Sequence, residues 1–431
     1  MATAPSGRAY LRLVLLGAAI GIPAALIAAL FLGLVHELED LLWHDLPEAL
    51  GQTIPPWYLV VGLPVVGAVV VIFARRFLPG DGGHDPLEGL NTKPTPIAYA
   101  PGVALAALGS LAFGAVLGPE APLVALGSVV GMAVSRLFRI GQQGTAVLST
   151  AGEFSAISAL FGGPITAGML LVEGGIGMGS TLLPILLPGL VAAAVGYLIF
   201  TGFGDFAGLN APGFIVPDLP AYTGVHAKDL IIAIVAGVLT TLVIVAAHRL
   251  GRRTLALQGR LGMPLLLLAG GLAVGLLALA GRGLGANSQD VLFSGQTAIG
   301  TVAMAGSAKI VLVLFATKFL GYAICMGCGF RGGPIFPAVF LGVAVASLSV
   351  VWLDTSPTLA IGIGAAAGTA AQTRLIVTPL ILAGLLVGTA GVDVVPAAVL
   401  AVAAAWITAK FLDRGVAVEP TPATPPVPEG G

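Results

Sequence analysis

Charge is what this chain has least of. Of its 431 residues only 9% are Asp, Glu, Lys or Arg, against 57% hydrophobic. A soluble domain of this length needs several times more charge to cover its surface, so the composition points to a polytopic membrane protein. Cysteine is almost missing as well: Cys325 and Cys328 are the only two, set in the apolar run "LGYAICMGCGF". Their CxxC spacing suits a metal or a redox disulfide only with further ligands or a thioredoxin-like setting, and neither is present. They read as small packing residues, and no metal and no cofactor is expected. Nor is there any excess of basic residues; the net charge is -1. In a membrane protein Lys and Arg report topology, and no patch here would hold nucleic acid.

What is present is a succession of apolar runs, at about 11–35, 57–78, 97–117, 122–138, 145–173, 181–201, 229–248, 263–280, 307–328, 334–353, 358–390 and 395–412. Crossing a bilayer takes ~20 apolar residues. Several of these runs are shorter or broken by Gly and Pro, as discontinuous helices that stop at mid-membrane would be. The first run, Leu13 to Val35, exceeds the ~7–15 residues of a signal-peptide core and reads as a retained span. Arg8 and Arg12 precede it, acids without Lys or Arg follow it in "HELEDLLWHDLPEAL", and Arg75 and Arg76 follow the second span. The positive-inside rule then places the N-terminus and the loop at 75–96 in the cytoplasm, with Arg249, Arg252, Arg253 and Arg260 marking another cytoplasmic connection. His36, Asp40 and His44 share a helical face that reads as solvated and acidic. The Pro-rich end, "VEPTPATPPVPEGG", reads as a disordered tail.

The two halves resemble each other. "GPEAPLVALG" from Gly118 and "GPIFPAVFLG" from Gly333 match in Gly, Pro, Pro, Leu and Gly, and Pro164 in "GGPITAGMLLV" corresponds to Pro379 in "TPLILAGLLV" at the same offset. The organisation expected is a cytoplasmic N-terminus at 1–10, a first membrane repeat at 11–225, a second at 226–415, and the tail at 416–431. Transporters built from repeats place the substrate where the repeats meet.

Within "GPEAP", Pro119 and Pro122 end one helix and begin the next. A helix starting near Ala121 aims unpaired N–H groups and the positive end of its dipole at an anion without presenting a full charge, and "GPIFP" supplies a second such start. Weak dipoles suit an ion that must bind and then leave. Glu120, flanked by uncharged residues from Ala98 to Ser135, is an anion on a tether: its carboxylate blocks the site, and protonation or a permeant anion displaces it. Intramembrane acids are rare and functional by default. Among the other charges in apolar context, Glu153 is expected to pair with a cation such as Arg374, and Lys309 and Lys318 to snorkel to an interface.

These motifs resemble the CLC chloride channels and proton/chloride antiporters, from about residue 11 to 412. "GPEAP" is similar to the family's G-[K/R]-E-G-P loop, with Glu120 at the external gating glutamate; "GGPIFP" is similar to its G-x-F-x-P loop; "GGHDP", Gly82 to Pro86, falls where its G-S-G-I-P loop belongs; and "GGPITAGMLLVEGG" resembles its "APLAGxLFxxEE" helix. The resemblance implies an all-α polytopic membrane protein, a CLC-like inverted repeat of many short, tilted and discontinuous transmembrane helices. It implies anion-binding loops at Gly118, Pro119, Ala121 and Pro122, at Gly82, Gly83, His84, Asp85 and Pro86, and at Gly333, Pro334, Ile335, Phe336 and Pro337. The chain departs from the family pattern where Pro119 replaces a basic residue, Ala121 a glycine, Gly83 the central serine and Ile335 the phenylalanine. Glu173 matches the first of a glutamate pair, and Gly174 stands at the second, the internal proton-transfer glutamate of antiporters. Glu173 is then the candidate internal proton acceptor. No tyrosine follows Tyr322, although the family's anion-coordinating tyrosine comes after the last membrane helix.

The expected function is permeation of small inorganic anions, chloride first, gated by Glu120; the alternative is a proton-coupled antiporter using Glu120 and Glu173. The expected partners are chloride or a similar anion, protons in the antiporter form, membrane lipid, and a second copy in a homodimer of the plasma (inner) membrane. An intramembrane enzyme pairing Glu120 with His84 or Glu173 would also need a nucleophile or metal set, which the sequence lacks near Glu120, so no enzymatic activity is expected.

Overall fold

The computed structural model describes residues 7–89, 94–174, 182–203, 206–209 and 214–413. The Pro-rich tail lies outside them, as do residues 1–6. The principal helices are α1 (Gly7–Asp40), α2 (Trp57–Phe77), α3 (Ala100–Leu111), α4 (Glu120–Leu137), α5 (Gln142–Ser158), α6 (Pro164–Gly174), α7 (Leu182–Thr201), α8 (Ala227–Ala256), α9 (Met263–Gly283), α10 (Ala308–Cys328), α11 (Ile335–Leu353), α12 (Pro357–Thr373), α13 (Val377–Val387) and α14 (Val395–Asp413). Among the described residues nine helical stretches are long and apolar enough to cross a membrane. The polar start of the chain joins α1 from Gly7 instead of standing apart as a loop.

Two apolar runs that read as continuous are each split. Residues 145–173 divide into α5 and α6 at Gly162 and Gly163, with φ of +73° and +139°, and residues 358–390 divide into α12 and α13 at Arg374, with φ of +62°. Left-handed backbone ends a right-handed helix, so hydropathy runs on where the helix stops.

The internal repeat is exact in register. Glu120, the first residue of α4, and Ile335, the first of α11, are 215 positions apart, and α5 and α12 begin and end at that same spacing. α4 crosses α5 where Gly127 faces Gly152, and α11 crosses α12 where Gly342 faces Gly364. A Cβ at Gly127 would lie 2.3 Å from the Gly152 carbonyl oxygen, and one at Gly342 only 2.1 Å from that of Gly364. Backbone-to-backbone approach of this kind is how helices associate in lipid, where apolar side chains gain little by leaving the solvent. Within their most apolar windows α4 and α11 are 72% buried, against 39% for α2 and α9, so the repeat-starting helices form the centre and the long helices face lipid.

Gly118 and Gly333 pair as an isolated antiparallel bridge. Each N–H donates to the other's carbonyl, at 2.7 and 2.6 Å. Residues that occupy the same place in the two repeats exchange identical bonds, which requires a local two-fold axis between them. The two Gly-Pro loops are therefore related by a local two-fold axis that passes between them.

Candidate functional site

The bridge sets the two loops side by side. Glu120, 0% exposed, reaches across the axis. Its Oε1 accepts the N–H of Ile335 at 2.6 Å; its Oε2 has no hydrogen-bond partner. The sequence placed the carboxylate at the start of its own helix, whereas in the structure it occupies the start of α11 in the other repeat. The first N–H groups of a helix have no intrahelical acceptor, and the dipole favours negative charge there. A carboxylate in that position stands in for a free anion.

Glycine at 118 and 333 is what makes room for it. A Cβ on Gly333 would come within 2.0 Å of the Glu120 Cδ, and one on Gly118 within 2.1 Å of Oε2. Phe336 closes the site, its ring stacked on Phe161 at 6.0 Å and met edge-on by Phe214 at 6.3 Å.

Tyr322 sits on α10, fully buried, with its hydroxyl 3.0 Å from the Pro334 carbonyl and 3.0 Å from Gln372 Oε1. His248 Nε2 lies 2.9 Å from the same Gln372 oxygen. No tyrosine follows the last membrane helix; the structure instead brings Tyr322 of α10 against Pro334. Its sequence context carries no signal of this contact, since Thr317 on the same helix has a hydroxyl as well.

The loop Gly82 to Pro86 is fastened to the approach of the second Gly-Pro loop. Arg331, 4% exposed, donates to the Asp81 carboxylate at 2.5 Å and to the His84 carbonyl at 3.4 Å, and Arg75 joins Asp81 at 2.8 Å to the Gly329 carbonyl at 3.0 Å. Gly82 and Gly83 abut Ala106 and Val103 of α3. Burial, and then the Arg331 guanidinium, hold the His84 imidazole below its usual range, so it is neutral at neutral pH. Among the described residues no hydrogen bond joins this loop to Glu120.

Glu173 is fully occupied elsewhere. Its carboxylate accepts the N–H groups of Ile376, Val377 and Thr378 at 2.9, 2.8 and 2.6 Å, and the Thr378 hydroxyl at 2.6 Å. It caps α13 from across the repeat boundary. Glu173→Ala should therefore lower stability in detergent by about 2 kcal/mol, read as a fall in thermal unfolding temperature, and Glu173→Gln by less because one acceptor remains.

Three charges stand differently from expectation. Arg374 pairs with Asp413 at 3.3 Å, leaving Glu153, 1% exposed, with neither oxygen hydrogen-bonded. Arg374 and Glu153 were expected partners because both interrupt apolar sequence, but the left-handed turn at Arg374 carries it out to the helix end. Lys318 does not snorkel: it is 0% exposed and donates to the Leu292 carbonyl at 2.6 Å above the Phe340 ring. Cys325 does more than pack, since its sulfur accepts the Val116 N–H at 3.2 Å and steadies the chain entering "GPEAP".

A cavity of about 300 Å³ opens beneath the site. Pro334 and Ile335 line it together with Val124, one turn along α4 from Glu120, and so do the buried Glu153, Gln372 and, where it meets solvent, the exposed Glu88. The mouth lies on the arginine-rich side, where Leu87 packs on Gly251 beside Arg252.

Comparison with known proteins agrees with this geometry. Residues 66–410 match the family described as voltage gated chloride channel. The candidate ion-transport protein YfeO of Salmonella schwarzengrund (strain CVM19633) is 30% identical over 362 residues, covering 82% of this chain and 84% of its own, and YfeO of Escherichia coli O139:H28 is 30% identical over 354 residues, 79% of each. Among solved structures, a slow cyanobacterial Cl-/H+ antiporter superposes with a TM-score of 0.75 at 19% identity, covering 95% of this chain and 96% of its own. A CLC-type fluoride/proton antiporter superposes at 0.69 and 18%, covering 95% and 98%. The inverted repeat, the paired Gly-Pro loops and the matched family together identify an integral, multi-pass anion-transport protein and not an enzyme: the chain belongs to the voltage-gated chloride channel (CLC) family.

Proposed function

We propose that the protein conducts small inorganic anions, chloride first, through the site at the start of α11, with Glu120 as the gate. One observation carries this reading: the Glu120 carboxylate accepts the Ile335 N–H at 2.6 Å in the place where a free anion would be held. The gate opens when the carboxylate is protonated or when a permeant ion competes it away. Pro334, Ile335, Phe336 and Pro337 form the anion-binding start, Gly118, Pro119, Ala121 and Pro122 the opposed loop, and Gly82 to Pro86 the wall on the arginine-rich side, which the positive-inside rule makes cytoplasmic. The Tyr322 hydroxyl is the group best placed to take over from the Pro334 carbonyl and donate to an ion beneath Ile335. Membership of the family supports a homodimer in the plasma (inner) membrane with one pathway per subunit.

Purified protein in lipid vesicles loaded with chloride is the test. Efflux along an imposed gradient, followed with a chloride electrode, supports the reading; wild-type vesicles that release neither chloride nor fluoride sink it. Gly333→Ala adds a sharper arm. Its methyl group takes the space of the Glu120 carboxyl while leaving every charge in place, so efflux at neutral pH should rise several-fold.

Proton-coupled antiport is the second reading. It is favoured by one observation, the second buried acid, Glu153, in the cavity that leads to the gate.

A further inference from the structure

Glu153 stands on α5 inside a membrane-spanning protein, 1% exposed, with neither carboxylate oxygen hydrogen-bonded. Buried acids of structural proteins are paired or capped, as Glu173 is. Among the described residues no cation and no backbone N–H caps Glu153. The polar side chains beside it are the hydroxyls of Ser128 and Ser149, which bond each other at 2.6 Å, and Ser128 already accepts the Thr95 N–H at 2.9 Å. Arg374, the cation expected to pair with it, is spent on Asp413.

Glu153 lines the same cavity as Ile335, the residue whose N–H holds Glu120. Of the described residues lining that cavity only Glu88, exposed to solvent, and Glu153 carry titratable side chains. An anion travelling between the arginine-rich side and the start of α11 through this cavity passes an acid with no counter-charge. A carboxylate there repels it across a low-dielectric space; a neutral carboxyl does not, and its O–H adds a donor.

We propose that Glu153 is a proton-binding site in the inner anion path, and that an anion occupies this cavity together with a proton on Glu153. The inference rests on the reading of Glu120 as the anion gate and extends it. The proton enters from the mouth at Glu88, forms the O–H bond of the Glu153 carboxyl, and cancels its charge. It then either returns to the mouth or passes along the cavity toward Glu120, whose protonation breaks the hold on the Ile335 N–H. In the second case the O–H bond at Glu153 breaks as that at Glu120 forms, and Glu153 becomes ready for the next proton. Glu173, saturated by four donors, takes no part.

Chloride efflux from vesicles titrated with the same pH on both faces tests this. Wild type should show acid activation in two components. Glu120→Gln should remove one and Glu153→Gln the other, with flux through Glu153→Gln at neutral pH at least equal to wild type, and the double variant should be flat with pH. Acid activation unchanged in Glu153→Gln, or already abolished in Glu120→Gln alone, overturns the proposal. A flux that Glu120→Gln leaves untouched would instead indict the gate reading, so the two failures are distinguishable. Should Glu153→Gln fold poorly, infrared difference spectra of wild type taken across an acid jump decide independently. The carbonyl band of a newly protonated buried carboxyl, retained in Glu120→Gln, supports the site; its absence there overturns it.

Discussion

Chloride efflux at neutral pH should rise about tenfold when Glu120 is replaced by glutamine, and by more when it is replaced by alanine. On the gate reading the carboxylate and a permeant anion compete for the same donor, the Ile335 N–H at the start of α11. A charge-assisted hydrogen bond is roughly twice as strong as a neutral one, about 1.5–3 against about 1 kcal/mol net. Converting the tethered competitor from an anion into an amide therefore costs it about 1–1.5 kcal/mol, and ~1.4 kcal/mol is a factor of ten in occupancy. Alanine leaves no oxygen to compete at all. The pH dependence follows with its sign fixed: in wild type, acid protonates Glu120 and frees the donor, so flux climbs as pH falls, and both variants lose that component. An electrode trace of efflux at two pH values reads both effects. Variants indistinguishable from wild type would remove Glu120 from the gate.

The largest loss of stability is expected at the helix crossings. Gly342→Val places a branched side chain where a single Cβ already falls 2.1 Å from the Gly364 carbonyl oxygen and 3.0 Å from the Gly368 nitrogen. Both obstacles are backbone of a buried helix, so neither can yield by changing rotamer. Overpacking with flexible neighbours costs about 1–3 kcal/mol; two backbones forced apart at the centre of the protein should exceed ~3 kcal/mol. Loss of the monodisperse peak in detergent, with a lowered unfolding temperature for whatever survives, is the measurement. Gly62→Ala on α2, where nothing lies within 4 Å of the added carbon, is the control and should be neutral or slightly stabilising, since alanine is the better helix former by about 1 kcal/mol.

The scaffold was legible because the repeat is written twice. "GPEAP" and "GPIFP" carry their prolines at helix starts and their glycines at a close approach, and punctuation of that kind depends on backbone geometry that sequence reports directly. Glu120 stood out for the same reason: nothing charged lies near it in the chain. What stayed hidden depends on which face of a helix a residue presents, and on partners from the other half. Glu153 and Arg374 both looked like intruders in apolar sequence and were matched on that basis, yet one faces a cavity and the other a helix end. Lys318 could have gone outward to an interface; it turns inward because the carbonyls of the segment at Leu292 need a donor there. Tyr322 and Gln372, on different helices, meet only because α10 and α12 both pass the start of α11. The capping contacts of Glu173 could not be read from its own segment, since a cap is recognised by the N–H groups it meets and these belong to α13.

The bridge between Gly118 and Gly333 has one further consequence. A two-fold axis relates the two halves, yet only one of the two equivalent positions that flank it carries an acid: Glu120 has isoleucine, at 335, for its counterpart. The frame itself has no preferred direction. On the gate reading, exchanging the two residues would hang the same latch from the other half, with the acid at 335 reaching for the N–H at 120. The half that keeps this single acid then decides, on that reading, from which side the start of a helix is latched.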